Sequence, residues 1–384
     1  MDKLKVITIF GTRPEAIKMA PLVKELERRE EIESKVCVTA QHRQMLDQVL
    51  ELFNITPDFD LNIMKDKQSL TGITTKVLTG LKEIFEGEKP NLILVHGDTT
   101  TTFAGALAGF YQQTKVGHVE AGLRTFDKYF PFPEEMNRRL TGAIADLHFA
   151  PTIGSKENLL KEGINEEDIF ITGNTVIDAM NVTVDEDYKF ENEKLNSIDY
   201  KNKKVIMVTA HRRENWGEGI ENICKALKEI VEKNQEVELV YLVHLNPVVK
   251  DVVHKYLEGI DRVHLLSPLD TKETHNLMDK CFMVMTDSGG LQEEAPHLGK
   301  PVLVLRNVTE RPEAVKYGTV KLVGTDISKI VSSANELINN KNEYEKMSKA
   351  INPYGDGMAS KRVVQAILYY YKRLNNRPEE FKII

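Results

Sequence analysis

Two hydrophobic periodicities alternate along the chain. Short runs of near-continuous apolar and β-branched residues at 6–10, 36–39, 92–96, 116–119 and 147–150 each lead through a turn into an amphipathic stretch. Such runs predict strands buried on both faces, and their alternation with helices predicts a parallel sheet covered on both sides. After Gly11, residues Ile17, Ala20, Val23 and Leu26 fall on one helical stripe, although Pro21 is expected to kink or delay that helix. At 181–204 the pattern lapses into a polar, charge-rich stretch, the expected crossing between domains. A second series follows, with strands expected at 205–209, 238–243, 263–266, 282–286 and 301–305 and helices at 220–232 and 291–298. A last helix is expected at 360–373, entered through the turn-rich Asn352-Pro353-Tyr354-Gly355-Asp356-Gly357.

The length of 384 residues exceeds the roughly 250 to 300 at which a single core stops growing. The expected fold is therefore α/β with two Rossmann-like domains. A composition of 41% apolar and 28% charged residues is that of a globular protein. No segment approaches the roughly 18 uninterrupted apolar residues of a membrane span. The start, Met1-Asp2-Lys3-Leu4-Lys5, runs into a strand without a signal core, so a cytoplasmic protein is expected. A formal charge of −7 argues against an extended nucleic-acid surface, though not against one small phosphate site. Cys37, Cys224 and Cys281 lack metal or redox spacing and read as buried free thiols.

In open α/β sheets, ligands lie beyond the carboxyl ends of the strands. Those positions here carry Gly11-Thr12-Arg13-Pro14-Glu15 with Lys18, His96-Gly97-Asp98, Glu120, His211-Arg212, His244 and Asp287-Ser288-Gly289-Gly290. The Ser288-Gly289-Gly290 turn opening a helix suits a phosphate, with Glu293 or Glu294 placed for ribose hydroxyls; a plain glycine-rich turn is the alternative. Arg13, Lys18, Arg138, Arg212 and Arg311 can complement a diphosphate. Taken singly, each reads more readily as a surface or structural cation, but five placed after strands or in turn-like segments shift the balance toward a site. Asp98, Glu120 and Glu134 are candidate proton-transfer groups, against ordinary capping or ion pairing. His211 is a further acid or base, while His244 reads equally as a packed histidine. No metal site is expected, and the dinucleotide fingerprint is missing after the first strand, so no cofactor is expected.

These segments resemble the non-hydrolysing UDP-N-acetylglucosamine 2-epimerases. The resemblance is carried by FGTRPEAIKMAPL (10–22), TAQHRQMLDQ (39–48), HGDTTTTFAG (96–105), HVEAGLRT (118–125), PFPEEMNR (131–138), TAHRREN (209–215) and TDSGGLQEEAPHLGKPVLVLR (286–306), across nearly the whole chain. It implies a GT-B-like fold with two domains facing across a cleft: 1–178, completed by a C-terminal segment 358–384 whose helix crosses back, and 179–357. It also implies epimerisation at carbon 2 by anti elimination of UDP through a glycal and re-addition. Asp98, Glu120, Glu134 and His211 would be catalytic. Arg13, Lys18, Arg138, Ser288, Gly289, Gly290, Glu294 and Arg311 would bind substrate. Gln41, Gln44, Lys67, Glu134, Arg212 and His244 would form an activator site for UDP-N-acetylglucosamine, with Lys67 standing where relatives often have arginine. Phe126, Phe130 and Asn307-Val308 also depart from frequent family residues. A homodimer supplying surface polysaccharide precursors is the family expectation. A hydrolysing epimerase, a GT-B glycosyltransferase and a non-catalytic UDP-sugar sensor are the competing readings.

Overall fold

The structure, a computed structural model, describes residues 2–40, 43–63 and 68–383, without the side chains of 43–45. Two compact units form: Met1–Ala179 with Tyr354–Lys382, and Met180–Pro353 with Ile383–Ile384.

The first unit is built on a seven-stranded sheet of β1 (Leu4–Phe10), β2 (Ile32–Val38), β3 (Phe59–Asp60), β4 (Leu92–His96), β5 (Lys115–Val119), β6 (Leu147–Ala150) and β7 (Ile169–Ile171), ordered β3-β2-β1-β4-β5-β6-β7. All its pairings are parallel. Alternate residues of β1 feed opposite faces. Leu4, Val6 and Phe10 pack with Leu22, Val23 and Leu26 and with Val363, Val364 and Ile367 of the helix Ala359–Tyr370. Ile7 and Ile9 pack with Val77, Leu81, Phe85, Ile93 and Val95. Strand order reverses between β1 and β4, the place where open α/β sheets bind ligands beyond the carboxyl ends of their strands.

Pro21 neither delays nor interrupts the first helix, Arg13–Glu27. Its loss of one backbone hydrogen bond is offset because Ala16, Met19, Ala20, Val23 and Leu26 are buried against the sheet. Three strands were not expected from the sequence: β3, β7 and, in the second unit, β13 (Val320–Leu322). Each has two or three residues, too few to display a period.

The second unit holds a six-stranded sheet of β8 (Lys204–Thr209), β9 (Val237–Leu242), β10 (Val263–Leu266), β11 (Met283–Thr286), β12 (Val302–Val304) and β13, ordered β10-β9-β8-β11-β12-β13 and again parallel throughout. Its strand order reverses between β8 and β11, the strands whose following loops bear His211 and Ser288. The polar stretch 181–204 is anchored within this unit. The Asp185 N–H donates to Asn276 Oδ1 and that of Glu191 to Glu273 Oε1, both at 2.8 Å, while Phe190, Leu195 and Ile198 are buried. The three cysteines are buried and free. Among the described residues, no helix is long and apolar enough to cross a membrane.

Candidate active site

In the first unit the candidate residues gather at the carboxyl ends of β1, β4 and β5. Glu15, fully enclosed in the first turn of the helix Arg13–Glu27, knits two of these loops together. Its carboxylate accepts the Gly11 N–H at 3.0 Å and the Thr12 N–H at 2.8 Å, and from the other side the Thr99 hydroxyl at 2.7 Å and that of Thr102 at 3.2 Å. Burial raises its pKa and these donors oppose the rise. Arg13 begins the helix beneath this hub, and Lys18, one turn on, forms an ion pair with Glu120.

Glu120 follows β5 with φ of +61°, a left-handed conformation uncommon for a residue with a side chain. Its Oε2 takes Lys18 Nζ and also Asn174 Nδ2, the latter at 2.7 Å. His96 Nε2 lies 3.8 Å from the same oxygen. Burial lowers the His96 pKa to about 4 despite the Glu120 charge, so this imidazole is neutral at pH 7 and the contact is not an ion pair.

A second carboxylate–cation pair stands nearby in the same unit. Asp98, in the turn after β4, meets Arg138 Nη2 at 2.6 Å, and its carbonyl accepts from Asn137 Nδ2 at 2.8 Å. Arg138 and Asn137 project from the helix Glu134–Ile144, whose first residue is Glu134. Glu135 is wholly buried and accepts the N–H groups of Thr125 at 3.0 Å and Phe126 at 3.2 Å, tying the loop after β5 to this helix. Two adjacent acids thus separate: Glu135 organises the loop and Glu134 begins the helix.

In the second unit, Asp287 is the organising group. Its buried carboxylate accepts the His211 N–H at 2.8 Å, the Arg212 N–H at 2.8 Å and Asn215 Nδ2 at 2.9 Å. The His211 ring stacks on that of His244, centroids 5.3 Å apart, with Nδ1 3.6 Å from Asp287. Burial lowers the His211 pKa, partly opposed by the Asp287 charge and assisted by Arg212 and His244.

Ser288, Gly289 and Gly290 turn after β11 into the short helix Leu291–His297. A side chain at Gly289 would lie 2.6 Å from Glu310 Oε1, and one at Gly290 3.1 Å from Glu294 Oε1, so this turn has no room for larger residues without rearrangement. Glu293 and Glu294 part company here. Glu293 is buried against Arg311, whereas Glu294 Oε2 faces His275 Nε2 at 3.5 Å. Arg311 is therefore held by a carboxylate. Arg306 sits beneath the same loop, 2.6 Å from Glu214 and 2.7 Å from Glu310. Burial pushes the Glu310 pKa up, but Arg311 and Arg306 outweigh it and hold the group at about 2.

Of the sequence-predicted residues, Arg13, Lys18, Asp98, Glu120, Glu134 and Arg138 belong to the first unit, where Lys18 meets Glu120 and Arg138 meets Asp98, and His211, Arg212, His244, Ser288, Gly289, Gly290, Glu294 and Arg311 belong to the second, where His211 stacks on His244. Gln41, Lys67 and the side chain of Gln44 lie outside the described residues. Sequence reasoning missed Asn174, Glu135 and Arg306 as organisers. Asn174 follows β7 by three positions, so the strand-end rule reaches it once that strand is known.

Two α/β units, each with a parallel sheet and polar groups concentrated where its strand order reverses, define a GT-B-like nucleotide-sugar enzyme class. The family model for UDP-N-acetylglucosamine 2-epimerase matches residues 24–368, and the chain belongs to that family. A Bacillus subtilis UDP-N-acetylglucosamine 2-epimerase is 58% identical over 381 residues, covering 99% of both chains. The structure is similar to that of the Neisseria meningitidis UDP-GlcNAc 2-epimerase bound to UDP-GlcNAc, with TM-score 0.85 and 52% identity over 95% of this chain and 100% of that one. It is also similar to the Methanocaldococcus jannaschii enzyme in complex with UDP-GlcNAc and UDP, with TM-score 0.78 and 33% identity over 95% and 100% of the two chains.

Proposed function

We propose that the protein interconverts UDP-N-acetylglucosamine and UDP-N-acetylmannosamine without net hydrolysis. The observation that carries this reading is the pairing of two strand-end carboxylates with cations in one unit, Glu120 with Lys18 and Asp98 with Arg138. Inversion at carbon 2 needs a proton taken from one face of the sugar and returned to the other, and because the hydrogen there is not acidic in the ground state, its removal needs a temporary electronic change at the neighbouring carbon. Breaking the bond between carbon 1 and the UDP oxygen, with the electron pair leaving on UDP, makes carbon 1 cation-like. A carboxylate then takes the carbon 2 proton to give the glycal. Re-addition of UDP to carbon 1 and protonation of carbon 2 from the opposite face complete the inversion.

Asp98, Glu120 and Glu134 share the two proton transfers. Arg13, Ser288, Gly289, Gly290 and Arg311 hold UDP, Glu294 holds the ribose, and Lys18 and Arg138 contact the sugar. His211 steadies the departing diphosphate together with the cations. The dinucleotide fingerprint is missing from the sequence, which favours elimination over transient oxidation of a hydroxyl. Arg212, His244 and Glu134, with Gln41, Gln44 and Lys67, form the activator site for a second UDP-N-acetylglucosamine. The enzyme works as a cytoplasmic homodimer feeding surface polysaccharide synthesis.

Incubation with UDP-N-acetylglucosamine in heavy water, followed by NMR, tests the chemistry. Two UDP-sugars deuterated at carbon 2 are expected; free N-acetylmannosamine would mean the hydrolysing reaction, and no exchange would sink both. Asp98→Asn is expected to lower turnover at least about 100-fold, the range of one proton-transfer group, with UDP affinity within a few-fold by calorimetry. Normal turnover of UDP-N-acetylmannosamine in the absence of added UDP-N-acetylglucosamine would rule out the activator site.

A further inference from the structure

We propose that Asn174 is a positioning residue for this reaction, its side-chain amide holding the Glu120 carboxylate in the orientation and charge state in which it exchanges a proton with carbon 2. The inference rests on the reading above.

Asn174 reaches Glu120 from the sheet edge. The turn Thr172-Gly173-Asn174 leaves β7, with Gly173 at φ +82°, and Asn174 is 2% exposed. Which end of its amide faces the carboxylate follows from its other bonds. Oδ1 accepts the Val176 N–H at 3.2 Å at the start of the helix Thr175–Thr183, and Nδ2 donates to Glu120 Oε2 at 2.7 Å. The Asn174 backbone N–H donates to the Tyr354 carbonyl at 2.6 Å, so the returning C-terminal segment sets the height of this side chain.

The groups facing Glu120 come from several elements. Lys18 comes from the helix Arg13–Glu27 and His96 from the end of β4, with Asp98 in the following turn engaged by Arg138. Lys18 and Asn174 thus bring two donors to one oxygen, and hydrogen bonds to a carboxylate favour its ionised form. His96 is neutral near pH 7 and adds no charge there. The lysine supplies charge but is a flexible point donor, whereas the amide is planar and fixed by its second bond. It is therefore the amide that sets the rotation of a carboxylate mounted on strained, left-handed backbone.

A plainer role for Asn174, capping the helix Thr175–Thr183, uses only Oδ1. Aspartate caps equally well but cannot donate. Asn174→Asp therefore keeps the cap, removes the N–H and sets a second carboxylate beside the first. The expected result is a fall in kcat of about 10- to 100-fold with KM changed less than about threefold, since a transition-state interaction is lost. The acid limb of the kcat profile should move up by about one pH unit, as for a carboxylate losing a donor and gaining a like charge. In a Glu120→Gln background the same substitution should cost little more, because Asn174 acts through Glu120.

Asn174→Ser retains a capping acceptor without adding charge, and should lower kcat while shifting the limb less. A wild-type kcat and pH profile in Asn174→Asp, full additivity with Glu120→Gln, or failure of both variants to fold would each overturn the proposal. Wild-type protein lacking carbon 2 exchange would instead sink the epimerase reading itself.

Discussion

Burial decides the protonation state of three histidines in the first unit. His96, His118 and His148 are held at pKa values of about 4, about 3 and about 4, in each case because the charged ring would lose its hydration. His118 Nε2–H donates to the Gly97 carbonyl at 2.7 Å and so braces the turn that carries Asp98. A depressed pKa in the fold means that the unfolded chain binds the proton first. The stability each histidine provides is complete above about pH 6.5 and is lost as pH falls through that value toward the folded pKa. Glutamine at position 118 keeps a donor for Gly97 but cannot titrate. The stability advantage of wild type over His118→Gln, from denaturant unfolding at a series of pH values, should therefore shrink below pH 6.5 by up to about 1.4 kcal/mol per unit. A difference independent of pH would show that His118 is not buried neutral.

At the scale of elements, loops are fixed by buried carboxylates: Glu15 accepts backbone N–H groups at the end of β1 and threonine hydroxyls after β4, while Glu135 for the loop after β5 and Asp287 for the loop after β8 collect backbone N–H groups. Glu15→Ala would strip acceptors from two backbone N–H groups, and should destabilise the protein by at least about 2 kcal/mol, measured by urea unfolding. Gly122 illustrates a steric version of the same control. Its φ is +91°, and a Cβ there would meet the Ser155 carbonyl oxygen at 2.3 Å, so Gly122→Ala should cost several-fold in soluble yield and lower the Tm. The sheet edge at β7 is covered by the C-terminal tail. The Phe381 N–H donates to the Ile171 carbonyl at 2.8 Å, and Arg377 donates to the carbonyls of Glu167 and Ile169 while lying 4.2 Å from the Phe170 ring centroid. Removing residues 376–384 should expose this edge and produce concentration-dependent self-association by light scattering. Retention of the full-length protein's association state would show that the tail is dispensable there.

At the scale of the molecule, each unit has its own core, and the first is closed by residues distant in sequence. Val363, Val364 and Ile367 lie in the same cluster as residues of the helix Arg13–Glu27, so truncation after Pro353 should leave the first unit unable to fold while the second keeps its apolar core. The proposed placement of most UDP contacts, Ser288, Gly289, Gly290 and Arg311, in the second unit gives a linked expectation. Saturating UDP, at about 100 times its Kd, should add about 2.7 kcal/mol to the stability of whatever binds it. By calorimetry the gain should survive Asp98→Asn and be lost in Ser288→Trp, whose bulk obstructs the turn after β11.

Hydrophobic periodicity was enough for the alternating strands and the long amphipathic helices, and with the chain length for the two-domain α/β class, because a strand or helix of sufficient length writes its burial pattern into neighbouring residues. The strand-end positions of Asp98, Glu120, His211 and Ser288 followed from that pattern, and the family from the motifs carrying them. Short strands were illegible, since two or three residues have no period, and with β7 went the position of Asn174. The pairing of Glu293 with Arg311 rather than Glu294, and the division of work between Glu134 and Glu135, also had no sequence signal. Neighbouring acids have the same chemistry. Only the direction in which the folded helix points each one, and what the rest of the chain brings to meet it, separates a structural carboxylate from one set at the site.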